Sequence, residues 1–328
     1  MIINKYVIHV LDKNSGIILN DYEGNSNLNI DKFIQKQVKK VMKNDLLRKA
    51  KFNDYENNLV RNCCDSIINE KNTFLRGSKE IASYLYDCLV KNDLESCDLL
   101  IASILIKNQS YVAILKLDYK ILHNHKIDYE DDKFNIQMIE NEIAIQNTSI
   151  KQATLIAVNT LETEYDLFVL DIDTEKIGDS SFFTKEFLDA KKIEDETYLT
   201  KEFIRLTNIW INNGVPDIVD AEQIRSIRND MLKHNNVMDL EKFSENALDS
   251  KLEEQFKRFC ESYDCKDFTI DHNVVDKKLK KRKIKTLSGF EISARLEDFE
   301  DRMKFKIEIN SDGLCNLIIK NIDFLYDK

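Results

Sequence analysis

An α+β fold is what this sequence predicts, and three observations predict it. Two apolar hairpin patterns with further strand-like runs occupy the first half, apolar residues at helical spacing fill the middle, and alternating apolar and polar residues return at the end. The expected architecture is a mixed sheet with helices over 1–178, an acidic helical bundle over 179–262, and a small antiparallel sheet with a basic run over 263–328. At 328 residues the chain has material for two or three cores. Its 7 glycines and 1 proline argue for elements joined by short polar turns rather than flexible linkers.

Residues Lys5 to Leu11 and Gly16 to Tyr22 read as strands flanking a turn at 12–15. A helix follows near Asp31, with Phe33, Ile34, Val38, Val41 and Met42 recurring on one side. Tyr55, Leu59, Cys63 and Ile67 step by four and predict a second helix. Ile81, Tyr84, Leu85, Cys88 and Leu89 predict a third over about 78–90. Leu99 to Ile106 and Tyr111 to Leu117 form a hairpin whose first strand is apolar on both faces, and strands are expected over 134–145, 153–158 and 167–172. Beyond Gly178 the pattern turns helical: a short segment with Phe182, Phe183, Phe187 and Leu188, then a long helix with Phe203, Leu206 and Trp210 that Gly214 and Pro216 should end through a left-handed residue. Asp220 should open another helix, and two more fit 239–260. Phe290, Ile292, Ala294 and Leu296, then Phe305, Ile307 and Ile309, alternate as strands, with Asp312 and Gly313 turning the chain into 317–322.

Charge is distributed unevenly. Residues 1–160 carry 21 basic and 21 acidic groups, 161–270 carry 14 and 26, and 271–328 carry 13 and 11, within a formal net charge of −10. The run Lys277, Lys278, Leu279, Lys280, Lys281, Arg282, Lys283, Ile284, Lys285 is the exception in this acidic chain. Seven cations in nine residues repel one another, and a row of phosphates is the partner that matches them. The run holds no aromatic residue, so it lacks the stacking rings of single-strand binders and points to duplex backbone contact. Lys32, Lys36, Lys39, Lys40 and Lys43 share one helix face and form a second candidate phosphate surface.

Several chemistries have no support. The glycines do not stand in a phosphate-cradling order, and no GxSxG or HExxH occurs. The seven cysteines lack a CxxC pair and are expected as free thiols, with no metal or cofactor implied. The N-terminal residues lack the apolar core of a secretory signal, and the 99–106 stretch is too short for a membrane span, so a cytoplasmic protein without membrane contact is expected. One enzymatic alternative stands: Asp98 upstream of Asp118, Tyr119 and Lys120, the acidic-x-Lys order of metal-dependent nucleases. With 58 acidic residues and 38 lysines, chance supplies about seven such triplets. A second alternative is a protein-interaction scaffold whose basic run binds an acidic protein.

The chain resembles the bacterial nucleoid-associated proteins of the NdpA, or 37-kDa, family. Ile8-His9-Val10-Leu11-Asp12, Phe74-Leu75-Arg76-Gly77-Ser78, the 113–120 strand Ala-Ile-Leu-Lys-Leu-Asp-Tyr-Lys, Phe183 to Leu188, and Ile318-Ile319-Lys320-Asn321-Ile322 carry the likeness. The resemblance implies association with the bacterial chromosome and DNA binding without catalysis, and it supplies no catalytic residues. The expected function is a nucleoid-located, non-enzymatic protein contacting double-stranded DNA without strong sequence preference. The contacts are expected from Lys277, Lys278, Lys280, Lys281, Arg282, Lys283 and Lys285, with Lys36, Lys39, Lys40 and Lys43. A protein partner on the acidic helices is compatible, and the sequence leaves the oligomeric state open.

Overall fold

The computed structural model describes residues 1–118, 122–130, 133–141, 150–158, 164–172, 182–311 and 314–322, which form two compact units, 1–193 and 194–328. In the first unit β1 (Ile2–Asp12) and β2 (Gly16–Ile18) make a tight hairpin, followed by α1 (Leu28–Met42), β3 (Arg48–Phe52), α2 (Leu59–Asn69) and α3 (Phe74–Lys91). Then come β4 (Cys97–Ile106), β5 (Gln109–Asp118), β6 (Leu122–Glu130), β7 (Lys133–Asn141), β8 (Gln152–Ala157), β9 (Leu167–Asp171), a π-helical turn at Phe183–Phe187 and β10 (Ala190–Lys192). Eight strands join in the order β10-β3-β9-β8-β5-β4-β1-β2. The α+β class holds. Every described pairing in that sheet is antiparallel, so the expected mixed sheet is corrected.

The sheet is covered on both faces, and this explains its continuous apolar strands. On one face Val7, Leu11, Leu99, Ile101, Val112 and Ile114 pack with Cys64, Ile81 and Leu85 of α2 and α3 and with Phe183 and Phe187. On the other, Tyr6, Leu100, Ala102, Ala113 and Leu115 pack with Ile34, Val38 and Val41 of α1. Asn27 caps α1 by accepting from the backbone N–H groups of Asn29 and Ile30, both at 3.0 Å. A β-carbon at Gly77 would lie 2.9 Å from Ile67 Cγ1, so this glycine lets α2 and α3 approach closely.

Two of the motifs that carry the family resemblance meet at His9, which is fully buried. The backbone N–H of Asn20 donates to His9 Nδ1 at 3.1 Å, which leaves the ring proton on Nε2, 3.1 Å from Ser78 Oγ. Ser78 in turn donates to the Leu75 carbonyl at 2.9 Å. Burial, aided by the Lys79 charge, lowers the His9 pKa from 6.5 to about 4. The unfolded chain therefore takes up a proton below pH 6.5 that the folded chain refuses until about pH 4. Stability from this site is complete above pH 6.5, falls as pH drops through that window, and levels off below it. The expected loss is roughly 2 kcal/mol after allowance for solvent screening. Urea unfolding followed by circular dichroism at pH 7, 5.5 and 4 checks it: His9→Gln should flatten the dependence, and an equal dependence in that variant would assign it to other groups.

The second unit contains α4 (Glu196–Gly214), α5 (Ile218–His234), β11 (Val237–Met238), α6 (Leu240–Ala247), α7 (Ser250–Ser262), β12 (Phe268–Thr269), α8 (His272–Lys278), β13 (Lys281–Lys285), β14 (Glu291–Arg295), α9 (Leu296–Glu300), β15 (Phe305–Ile309) and β16 (Cys315–Ile319). Its core is aromatic: Trp210 meets Phe256 edge-on at 4.9 Å and Phe203 meets Phe243 at 5.8 Å. Aspartates 195, 217, 239, 249 and 271 each cap a helix, which accounts for part of the local acidity. Gly214 does not take the expected left-handed conformation; it ends α4 inside the helix, with Trp210 Nε1 3.3 Å from where a β-carbon would stand. The expected single C-terminal sheet is two separate hairpins, β13–β14 and β15–β16, with α9 between them. The turn expected at Asp312 and Gly313 lies outside the described residues. Among the described residues no helix is long and apolar enough to cross a membrane.

Candidate nucleic-acid interface

The basic run crosses three local structures. Lys277 and Lys278 form the last turn of α8, where their charge opposes the negative end of the helix dipole. Lys280 lies in the following bend, and Lys281 to Lys285 are strand β13, paired residue for residue with Arg295 to Glu291. A strand sends alternate side chains to opposite faces, and that sorts the cations. Lys281, Lys283 and Lys285 are exposed on one face together with their cross-strand neighbours Arg295, Ser293 and Glu291. Arg282 and Ile284 point the other way with Ile292 and Ala294, all half-buried.

Arg282 is therefore not one of the outward cations, contrary to the expectation for the whole run. Its guanidinium grips Glu222 of α5 with two hydrogen bonds, one of them 2.7 Å, and lies 5.3 Å from the Phe299 ring centre. The same carboxylate receives Arg225 at 2.7 Å. Burial would raise the Glu222 pKa, but the hydrogen bonds and charge of Arg282 and the charge of Arg225 outweigh it and lower the value. Beneath them Arg228 is buried and held by neutral oxygens: Thr207 Oγ1 at 3.0 Å, Asn208 Oδ1 at 2.7 Å and Asn229 Oδ1 at 2.9 Å. Burial, with the nearby Arg225 and Arg282 charges, lowers its pKa to about 9. Arg282 is the anchor of the hairpin.

On the outward face Lys283 and Lys285 share one carboxylate, Glu291, at 2.5 and 3.4 Å, and Arg295 reaches Asp298 at 3.2 Å. Exposed pairs of this kind contribute little to stability and exchange readily for a phosphate. Lys277, Lys278, Lys280 and Lys281 are also exposed, so six lysines and Arg295 make seven exposed cations on or beside the hairpin. Arg295 was absent from the sequence expectation. Its signal was there, since the alternation of Phe290, Ile292, Ala294 and Leu296 leaves the odd-numbered residues facing outward. At the hairpin turn Gly289 adopts φ +94°, the Phe290 N–H donates to Thr286 Oγ1 at 3.0 Å, and Leu287 and Phe290 are exposed.

The second basic stretch is in the first unit. Lys32, Lys36, Lys39 and Lys43 are exposed along one stripe of α1, and Lys40 is half-buried beside them. Lys39 and Lys40 occupy the last turn and Lys43 is the C-cap, where cations are favoured by the helix dipole. Arg48, Lys49 and Lys51, which follow this face in sequence, belong instead to the sheet strand β3.

The nuclease alternative does not assemble. Cys97 pairs with Asp118 and Asp98 with Leu117, so Asp98 and Asp118 project from opposite faces of the sheet. Asp98 is buried and Asp118 is engaged by Lys116, with Lys151 at 3.8 Å. Tyr119 and Lys120 lie outside the described residues. Among the described residues no group of three His, Cys, Asp or Glu side chains could hold a metal ion, and all seven cysteines are free.

No curated protein matches the chain. The sequence does match the family model described as Nucleoid-associated protein YejK (NA37) across residues 7–325, which is nearly the whole chain. The chain belongs to this family of nucleoid-associated proteins.

Proposed function

We propose that the protein binds double-stranded DNA without catalysis, by laying the outward face of the β13–β14 hairpin along the phosphate backbone. The observation that supports this most directly is the sorting of charge by the strand: Lys281, Lys283, Lys285 and Arg295 outward, Arg282 inward as an anchor. Alternate strand residues stand about 6.8 Å apart, a spacing compatible with successive phosphates of one nucleic-acid strand. Lys277, Lys278 and Lys280 extend the row. The lysines are point charges without bidentate base geometry, so this contact is tolerant of sequence. The acid-rich remainder of the unit repels the polymer and favours approach by this face alone. The α1 stripe is a second, weaker contact by the same reasoning.

Salt-titrated binding to a duplex of mixed sequence tests the reading. With about five phosphates neutralised, log affinity against log salt should have a slope near −4.5. A slope near zero, or a slope governed by the α1 lysines alone, would overturn the assignment to the hairpin.

A further inference from the structure

One helix end in the second unit holds chemistry that DNA binding does not use. Backbone hydrogen bonds define the turn that stops α7. The Cys265 N–H donates to the Cys260 carbonyl at 2.9 Å, the Asp264 N–H reaches the Glu261 carbonyl at 3.5 Å, and Asp264 stands in the left-handed region at φ +49°. This is the Schellman closure, whose two end residues bring their side chains together, ordinarily in an apolar contact. Here both ends are cysteines, and the two thiols hydrogen-bond one another. A disulfide requires Cα atoms within about 7 Å. A direct backbone bond of 2.9 Å keeps the two residues inside that limit.

The pair differs from the other thiols. Cys63, Cys64, Cys88 and Cys97 are buried; burial pushes Cys63 and Cys97 up to about 12 and raises Cys64 and Cys88 as well, which makes them inert core residues. Cys260 and Cys265 are half-buried, with Cys260 resting on the aromatic core. The hydrogen bond from Cys260 lowers the Cys265 pKa, against burial and the charges of Glu202 and Asp264. The same bond, with burial, raises that of Cys260. Cys265 therefore ionises first and Cys260 keeps its proton. The carboxylates of Glu202, Glu261 and Asp264 repel anionic oxidants and favour a small neutral one.

We infer that Cys260 and Cys265 form a reversible redox site oxidised by hydrogen peroxide to a disulfide. Cys265 loses its proton and its thiolate attacks one peroxide oxygen; the O–O bond breaks, a sulfenic acid forms on Cys265, and hydroxide leaves and takes up that proton as water. The Cys260 thiol then attacks the Cys265 sulfur. The S–S bond forms, the S–O bond breaks, and the Cys260 proton departs with that oxygen as a second water. The two sulfurs give up two electrons and the peroxide takes them. A dithiol reductant reverses the reaction by exchange. The cross-link ties the end of α7 to the segment that runs through β12 into α8, whose last turn carries Lys277 and Lys278. Because the turn is already formed in the reduced chain, oxidation stabilises it rather than rebuilding it.

Peptide mass spectrometry of the full chain tests this. Trypsin cleaves after Arg258 and Lys266, so both cysteines fall in one peptide, 259–266. After brief exposure to a small molar excess of hydrogen peroxide and alkylation with N-ethylmaleimide, that peptide should be about 2 Da lighter than its dithiol form and carry no alkyl group. Dithiothreitol before alkylation should restore both alkylation sites. C260S should leave a sulfenic acid on Cys265 that dimedone traps, and C265S should give less than about a tenth of that label on Cys260. A peptide that stays fully alkylated while Cys315 is oxidised would overturn the site. Equal labelling in the two variants would overturn the assignment of Cys265 as the attacking thiol. The oxidised wild type should also melt a few degrees higher by Trp210 fluorescence; a lower midpoint would show that the bond strains the turn and would overturn its preformed geometry.

Discussion

Replacing Glu222 by alanine is expected to destabilise the second unit by about 3 kcal/mol, the range for removing one partner of a desolvated ion pair. The reason is the company the carboxylate keeps. It binds Arg282 twice and Arg225 once, and its charge favours the charged form of the buried Arg228, whose pKa is nonetheless lowered by burial and by its two arginine neighbours. Without it, three guanidinium groups remain close together, none of them with a carboxylate in hydrogen-bonding reach among the contacts described. Glu222→Gln keeps a hydrogen-bond acceptor and should cost less. Glu222→Ala combined with Arg282→Met should recover part of the loss, because the second change removes a charge and leaves apolar volume against Phe299. Trp210 is the sole tryptophan and lies in this core, so its fluorescence during urea unfolding reports the unit directly. Loss below about 1 kcal/mol in Glu222→Ala, the scale of a surface pair, would show that the cluster is solvated and that Arg282 is not an anchor.

The fold class was legible because both periodicities are local. The 3.6-residue recurrence in α1 and α3 and the continuous apolar run of β4 follow from which faces are buried, and each can be read within about a dozen residues. Strand pairing is not local. Residues 48–52, Arg-Lys-Ala-Lys-Phe, are dominated by charge and show no strand signal of their own, yet they are a sheet strand because Ala50 and Phe52 enter the core between β9 and β10, more than a hundred residues later in the chain. The strand β6 was missed because His123, Asn124 and Lys126 dilute its apolar residues, and only its partner β7 shows the alternation. At the candidate site the sequence located the cations but not their directions. Period-2 alternation through Lys281 to Lys285 would have turned Arg282 inward; its partner Glu222, sixty residues away, had no local signal.

The quadruple substitution of Lys280, Lys281, Lys283 and Lys285 by glutamine should nearly abolish the salt dependence of DNA binding. Each phosphate contact contributes about −0.9 to the slope, so four losses should move it from near −4.5 to about −1. Between 50 and 200 mM salt the wild type should then lose about 500-fold in affinity and the variant about fourfold. The substitution is mild for the fold. All four side chains are exposed, Lys283 and Lys285 give up only a shared surface pair with Glu291, and the anchor Arg282 is untouched. Arg282→Gln is the informative contrast: it should lower stability through the Glu222 cluster and change the slope by less than one contact. If both variants shift the slope equally, the strand does not sort its cations in the complex and the hairpin must rearrange on binding. If the quadruple variant keeps a slope near −4.5, the backbone contact lies elsewhere, and the exposed α1 stripe of Lys32, Lys36, Lys39 and Lys43 is the next surface to neutralise.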